Sequence, residues 1–128
     1  MRNQSEVIAA FIRLVEKTPK VYEAARTAVN TEDKLTSDLL HEIELQGTNC
    51  NIRSKTATRL RENRLDRRYY KDIVEELEPL YEFLQDKENR KVIKKLEAVL
   101  GKMRKEEAYH ADRTYHPRVN RMETEGEE

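Results

Sequence analysis

Two histidines in this chain follow a carboxylate at a spacing of three residues, a pattern that can bind metal ions. Asp38 precedes His41, and Glu107 precedes His110. Residues three apart share one face of a helix, and two-metal helical bundles combine two such pairs with further glutamates. The glutamates that could complete such a site are Glu75, Glu76 and Glu78. One pair begins with Asp, and 39% of the residues are charged, so the spacing also arises by chance. We therefore predict no metal site and keep a carboxylate/histidine metal-binding bundle as a second alternative.

Other enzyme signatures are absent from the sequence. There is no glycine-rich phosphate loop and no G-x-S-x-G elbow. The only cysteine, Cys50, has no histidine in the surrounding segment that could act as its base, and a single thiol fits a reducing cytoplasm. The sequence therefore predicts a protein that is not an enzyme and that binds no cofactor.

Charge alternates along the second half of the chain. Residues 51–71 carry eight cations against two anions, residues 72–88 seven anions against one cation, and residues 89–105 seven cations against one anion. A helical hairpin with its turn near Lys87 would set the acidic segment beside the basic segment that follows it. Such a hairpin would still leave one end basic, and this basic pole could bind phosphate or an acidic protein surface. The partner-binding residues predicted there are Arg59, Arg61, Arg64, Arg67, Arg68, Tyr109, Arg113, Tyr115 and Arg118.

The segments that carry these residues are predicted to be helices. The chain has only three Gly and three Pro, and apolar residues recur at helical spacing. Thr18-Pro19 predicts a new helix start, Pro79 predicts a kink or a split, and Asp86 to Asn89 predicts a polar connection. The helix before Pro79 is expected to begin at Ser54 or Thr56. Its apolar face is expected to comprise Leu65, Tyr69, Ile73, Leu77, Leu80 and Leu84.

These patterns predict an all-α fold, a small helical bundle built on a long antiparallel helical hairpin with coiled-coil packing. We expect one domain over residues 1–118, with N-terminal helices in 1–46 and a long charged hairpin in 52–118. Residues 119–128 are acidic and are expected to be disordered. No apolar run reaches the length of a membrane span, and the N-terminus lacks the apolar stretch of a secretory signal. We therefore expect no membrane association and a cytoplasmic location.

Several strings resemble small helical proteins encoded by phages and prophages of Gram-positive bacteria. They are residues 36–45 (TSDLLHEIEL), 67–72 (RRYYKD) and 104–110 (RKEEAYH), followed by Arg113, Tyr115 and residues 117–118. The resemblance covers about residues 35–118 and identifies no catalytic residue.

The resemblance implies an accessory protein in the cytoplasm of a bacterial host, acting by stoichiometric binding. The expected partner is a host or defence protein or a nucleoprotein, inhibited in the manner of anti-CRISPR proteins. A nucleic-acid-binding protein that uses the arginine-rich helix is the first alternative, although the net charge of zero argues against general nucleic-acid affinity. A homo-oligomer is left open.

Overall fold

The protein folds into three α-helices, as seen in a computed structural model that describes residues 3–45 and 49–114. Helix α1 spans Gln4–Leu45, α2 spans Cys50–Gln85 and α3 spans Lys87–Asp112. No strand occurs within those two ranges. The predicted all-α fold class is confirmed.

Helices α1 and α2 form a long antiparallel hairpin. Its direction follows from three side-chain pairs along the two helices: Glu42 with Arg59, Thr36 with Asn63, and Tyr22 with Tyr81. As the α1 number falls, the α2 number rises, so the helices run in opposite directions. The predicted small helical bundle is confirmed, but the antiparallel hairpin in it is not the predicted one over residues 52–118. The sequence placed the hairpin turn near Lys87, whereas the structure forms the hairpin from α1 and α2.

Helix α3 also runs opposite to α1. The hydroxyl of Ser5 donates a 2.6 Å hydrogen bond to Glu107, and Ala9 and Ile12 form a buried cluster with Leu100. Because α2 and α3 are both antiparallel to α1, they cannot fold back on each other as the sequence suggested. The acidic segment 72–88 therefore does not lie alongside the basic segment 89–105, and the predicted pairing of these charges is wrong.

Helix α1 is continuous through Thr18 and Pro19, where the sequence predicted a restart. Thr18 is not a cap, because its hydroxyl donates to the carbonyl of Leu14 at 2.8 Å within the helix and its side chain is buried. Pro19 lacks the N–H that would bond one turn back, which costs about 3 kcal/mol in a helix interior. Packing of Val15 and Tyr22 in the core on either side offsets this loss. Pro79 likewise lies inside α2.

Short polar junctions separate the helices. The side chain of Asn49 accepts hydrogen bonds from the N–H groups of Asn51 and Ile52, so α2 begins four residues earlier than the predicted start at Ser54. Asp86 is the single non-helical residue between α2 and α3, and its carboxylate accepts from the N–H of Glu88 at 2.8 Å. The predicted polar connection is thus present but shorter.

The core is a thin seam rather than a thick interior. Its buried apolar residues are Ala9, Ile12, Val15, Tyr22, Ala25, Leu39, Leu84 and Leu100. On α2 the seam also contains the polar residues Thr56 and Asn63, which are both buried. Leu65 and Tyr69 are 56% and 63% exposed, so their predicted place on the packed face is wrong. No helix in the described ranges is long and apolar enough to cross a membrane.

Candidate binding surface

Three of the predicted arginines form an outward-facing row on α2. Arg61, Arg64 and Arg68 are all exposed, and their spacing of three and then four residues keeps them on one side of the helix. Asn63 lies between them in sequence but is buried against α1, so this row points away from the seam. We call these three residues the arginine face.

The two other predicted arginines of α2 pair with α1. Arg59 lies 3.4 Å from the Glu42 carboxylate, and Arg67 binds the Asp33 carboxylate through its Nε. The Arg67 side chain is only 20% exposed, which makes it part of the seam. Both arginines therefore contact α1, and the three outward arginines make up the candidate binding surface on α2.

The arginine face concentrates positive charge that the chain itself neutralises only in part. Arg68 forms an i, i+4 ion pair with Asp72 at 3.8 Å. Within residues 3–45 and 49–114, Arg61 and Arg64 have no ion-pair partner. Like charges three or four residues apart repel by a few tenths of a kcal/mol, at about 0.2–0.5 per pair. An anionic partner would remove this repulsion and gain charge-assisted hydrogen bonds.

Two large side chains lie exposed beside the arginine face. Leu65 and Tyr69 are one helical turn apart, and the Tyr69 ring packs edge-on against Tyr70 at 5.3 Å between ring centroids. Protein interfaces are enriched in Tyr and Arg, and buried aromatic side chains often supply much of the binding energy. The sequence assigned both residues to the packed face, because they match the apolar spacing of a packed helix.

The outward face of α2 changes sign toward its C-terminal end. Apart from Tyr69, the exposed residues that follow Arg68 on this side are Asp72, Glu75 and Glu76. The cationic part from Arg61 to Arg68 spans about 10 Å along the helix at 1.5 Å per residue. The surface therefore fits a small anionic patch beside a neutral or basic one, rather than an extended anionic polymer.

Two further predicted site residues, Tyr109 and Arg113, lie at the far end of the molecule from the arginine face. Tyr109 and Arg113 are exposed near the C-terminal end of α3, which packs against Ser5. Glu42, which pairs with Arg59, lies 37 residues after Ser5 on α1, a distance of about 55 Å at 1.5 Å per residue. The prediction of a single basic pole is therefore wrong, because α3 does not return toward the start of α2. Two other predicted residues, Tyr115 and Arg118, lie outside the described residues.

The two histidines of the predicted metal-binding pairs lie near opposite ends of α1. His41 contacts Glu44 at 3.6 Å, and His110 of α3 contacts Glu106 at 3.7 Å. Glu107, the predicted partner of His110, instead accepts a hydrogen bond from Ser5. No cluster of three or more His, Cys, Asp or Glu suited to a metal ion occurs in the part of the chain described. The two pairs therefore do not form the single two-metal site that the sequence suggested as an alternative.

Over residues 3–45 and 49–114, the fold and the arginine face define an all-α protein of three helices with an exposed basic and aromatic surface. Comparison of the chain with protein-family models, with curated proteins and with solved structures finds no match.

Proposed function

We propose that this protein acts by binding rather than by catalysis, and that its arginine face contacts an acidic macromolecular partner. The observation that carries the proposal is the outward position of Arg61, Arg64 and Arg68, two of which lack an ion-pair partner among the described residues. Exposed Leu65 and Tyr69 add an apolar anchor beside the charges. Charge gives such a surface its specificity and association rate, and the anchor contributes affinity.

A protein is a better partner than a nucleic acid for this surface. A duplex carries one phosphate charge per about 1.7 Å and would continue past the arginines. Asp72, Glu75 and Glu76, which follow on the same side of α2, would repel it. A folded protein with a local acidic patch avoids this repulsion. Nucleic-acid binding through the same arginines is the competing hypothesis.

The biological role that we propose is that of a phage-type accessory protein in the bacterial cytoplasm, binding a host or defence protein stoichiometrically and inhibiting it. The resemblance to phage and prophage proteins supports this role. One of the strings that carries it, residues 67–72, begins next to the arginine face and includes Arg68 and the exposed Tyr69.

The test is charge reversal on the arginine face. Arg61→Glu combined with Arg64→Glu should leave the helical circular dichroism spectrum unchanged, because neither side chain contacts α1. The variant should no longer retain the partner when it is used as bait in a lysate of Gram-positive cells. Lys102→Glu with Lys105→Glu is the matched control, since both lysines are exposed on α3 at the same spacing. Retention of the same partner by the arginine variant would refute the proposal.

Salt dependence separates the two partner classes. Labelled single-stranded and duplex DNA of 20 nucleotides or base pairs should bind weakly and equally to the wild type and to the arginine variant. If three arginines contacted phosphates, the logarithm of the affinity would fall with the logarithm of salt concentration with a slope near −3, about −0.9 per phosphate. That slope, lost in the arginine variant, would replace the protein partner with nucleic acid.

A further inference from the structure

The N-terminal half of α1 keeps several large apolar residues exposed, next to the buried Thr18 and Ala25. Four large residues there stay exposed in the described chain: Val7 at 57%, Phe11 at 43%, Leu14 at 50% and Val21 at 44%. We call them the α1 apolar stripe. They recur at intervals of four, three and seven residues, which keeps them on one side of the helix.

This part of α1 is apolar around more of its circumference than two neighbouring helices can bury. Ala9 and Ile12 are buried in the cluster with Leu100 of α3, and Tyr22 is buried against Tyr81 of α2. At 100° per residue, the apolar arc from Val21 through Phe11 to Ala9 covers roughly 240°. A helix that packs one face on a core needs an arc of only about 100°. A third helix on the side of the α1 apolar stripe would bury the rest.

We infer that the third helix is α1 of a second copy of this chain, packed antiparallel with a two-fold axis passing near Leu14. Val7 and Val21 lie seven residues before and seven residues after Leu14. A two-fold axis there sets Leu14 against its own copy and Val7 against Val21 of the second copy. Isologous dimers require this kind of self-complementarity, in which one surface matches itself.

Charge at the edge of the stripe fits the same arrangement. Glu6 and Lys20 are exposed on one side of the α1 apolar stripe, 14 residues apart, with Leu14 between them. In the antiparallel pair, Glu6 of one copy lies opposite position 22 of the other copy. It is therefore about two residues, or some 3 Å along the helix axis, from Lys20 of that copy. Both side chains are long enough to form an ion pair there. The two α1 N-terminal halves also oppose their helix dipoles.

This surface is separate from the arginine face. In the hairpin, Arg61 of α2 lies beside the part of α1 that contains Glu42. Leu14 is 28 residues from Glu42, about 40 Å along the helix. A dimer through the α1 apolar stripe therefore leaves both arginine faces open. The inference does not depend on the proposed function, and each of the two can fail without the other.

The first experiment measures mass in solution. Light scattering after size exclusion should give twice the 15.2 kDa of one chain at about 100 μM protein, a concentration at which even a micromolar dimer is nearly complete. Leu14→Glu sets two carboxylates against each other at the axis and should return the mass to one chain. Leu40→Glu is the matched control, because Leu40 is 47% exposed on the same helix but outside the stripe, and it should leave the dimer intact.

The second experiment tests the geometry, and it does not require the leucine variant to fold. In a Cys50→Ser background, Leu14→Cys should form an intermolecular disulfide on mild oxidation, since bridged Cβ atoms must approach to about 3.8 Å. Val7→Cys mixed with Val21→Cys should also crosslink, whereas either variant alone should not. A monomeric wild type, or a dimer that Leu14→Glu leaves intact, would overturn the inference. Crosslinking of Val7→Cys alone would overturn the antiparallel packing.

Discussion

The side-chain amide of Asn63 is buried against α1, where its oxygen accepts a 2.6 Å hydrogen bond from the hydroxyl of Thr36. Its nitrogen donates to the main-chain oxygen of Glu32 at 2.9 Å and to the carboxylate of the same residue at 2.6 Å. A buried polar residue whose hydrogen bonds are all made fixes the alignment of two helices, because any shift would leave it unsatisfied.

Asn63→Ala should therefore destabilise the hairpin. The change removes the hydrogen bonds of the amide, while the hydroxyl of Thr36 still donates to the carbonyl of Glu32, and each hydrogen bond lost costs about 0.5–1.5 kcal/mol. Urea unfolding followed by circular dichroism measures the loss. Asn30→Ala, at an exposed position of α1, is the control and should change the unfolding free energy by less than about 0.5 kcal/mol. Equal effects of the two substitutions would show that the Asn63 contacts do not support the fold.

The seam and the outward face of α2 should respond differently to truncation of leucine. Leu39 on α1 is 1% exposed, and Leu39→Ala should lower the unfolding free energy by about 2–5 kcal/mol through lost burial and the cavity left behind. Leu65→Ala removes the same atoms from a side chain that is 56% exposed and should cost less than about 0.5 kcal/mol. A large loss at Leu65 would mean that this residue packs within the fold and is not an exposed anchor.

Docking of α3 should depend on the contact between Glu107 and Ser5. The Glu107 carboxylate accepts from both the hydroxyl and the main-chain N–H of Ser5, at 2.6 and 3.3 Å, beside the positive end of the α1 dipole. Glu107→Ala should weaken α3 docking by about 1.5–3 kcal/mol, the range for hydrogen bonds to charged groups. Faster amide hydrogen exchange over residues 96–107 would report it. Glu106→Ala, whose side chain is exposed, should leave the exchange rate unchanged.

The phenol of Tyr81 should titrate above the usual pKa of a tyrosine. Partial burial, followed by the hydrogen bond that its hydroxyl donates to Glu23 at 3.2 Å, raises the pKa of Tyr81 above its ordinary value. Because the folded state holds this proton more tightly, the stabilisation is complete below about pH 10, the usual tyrosine pKa, and is lost as pH rises through the folded pKa. The difference between the ultraviolet titrations of the wild type and of Tyr81→Phe isolates this phenol, and its midpoint should lie above the usual tyrosine pKa of about 10. Glu23→Gln should lower the pKa of Tyr81, and an unchanged titration in that variant would exclude the hydrogen bond as a cause.

The local sequence predicts that the chain is helical, because helix formation depends mainly on neighbouring residues, but it predicted a helix start at Thr18-Pro19, where α1 is continuous. Scarce Gly and Pro and the 3.6-residue apolar spacing favour helix throughout. The junction at Asp86 follows from a side chain that caps a free N–H group, that of Glu88. The concentration of arginine in residues 51–71 is likewise visible in the sequence, and it supplied all three residues of the arginine face.

Tertiary packing decides which side of each helix is covered. In α2 the sequence favoured a face through Leu65 and Tyr69, but the buried side runs through Thr56 and Asn63. A pattern of apolar residues cannot identify a seam in which hydrogen-bonded polar residues occupy central positions. Thr36 and Glu32, which satisfy Asn63, come from another helix and are 27 and 31 residues away.

Tertiary packing also decides the directions of the helices, and with them the candidate site. Asp86 has an extended backbone, with φ −75° and ψ 127°, which any residue can adopt and which does not dictate where α3 goes. The contacts of Leu100 and Glu107 with the start of α1 set that direction. They place Tyr109 and Arg113 about 55 Å from Arg59, a separation that no local pattern encodes, because it arises from side chains that meet a hundred residues apart.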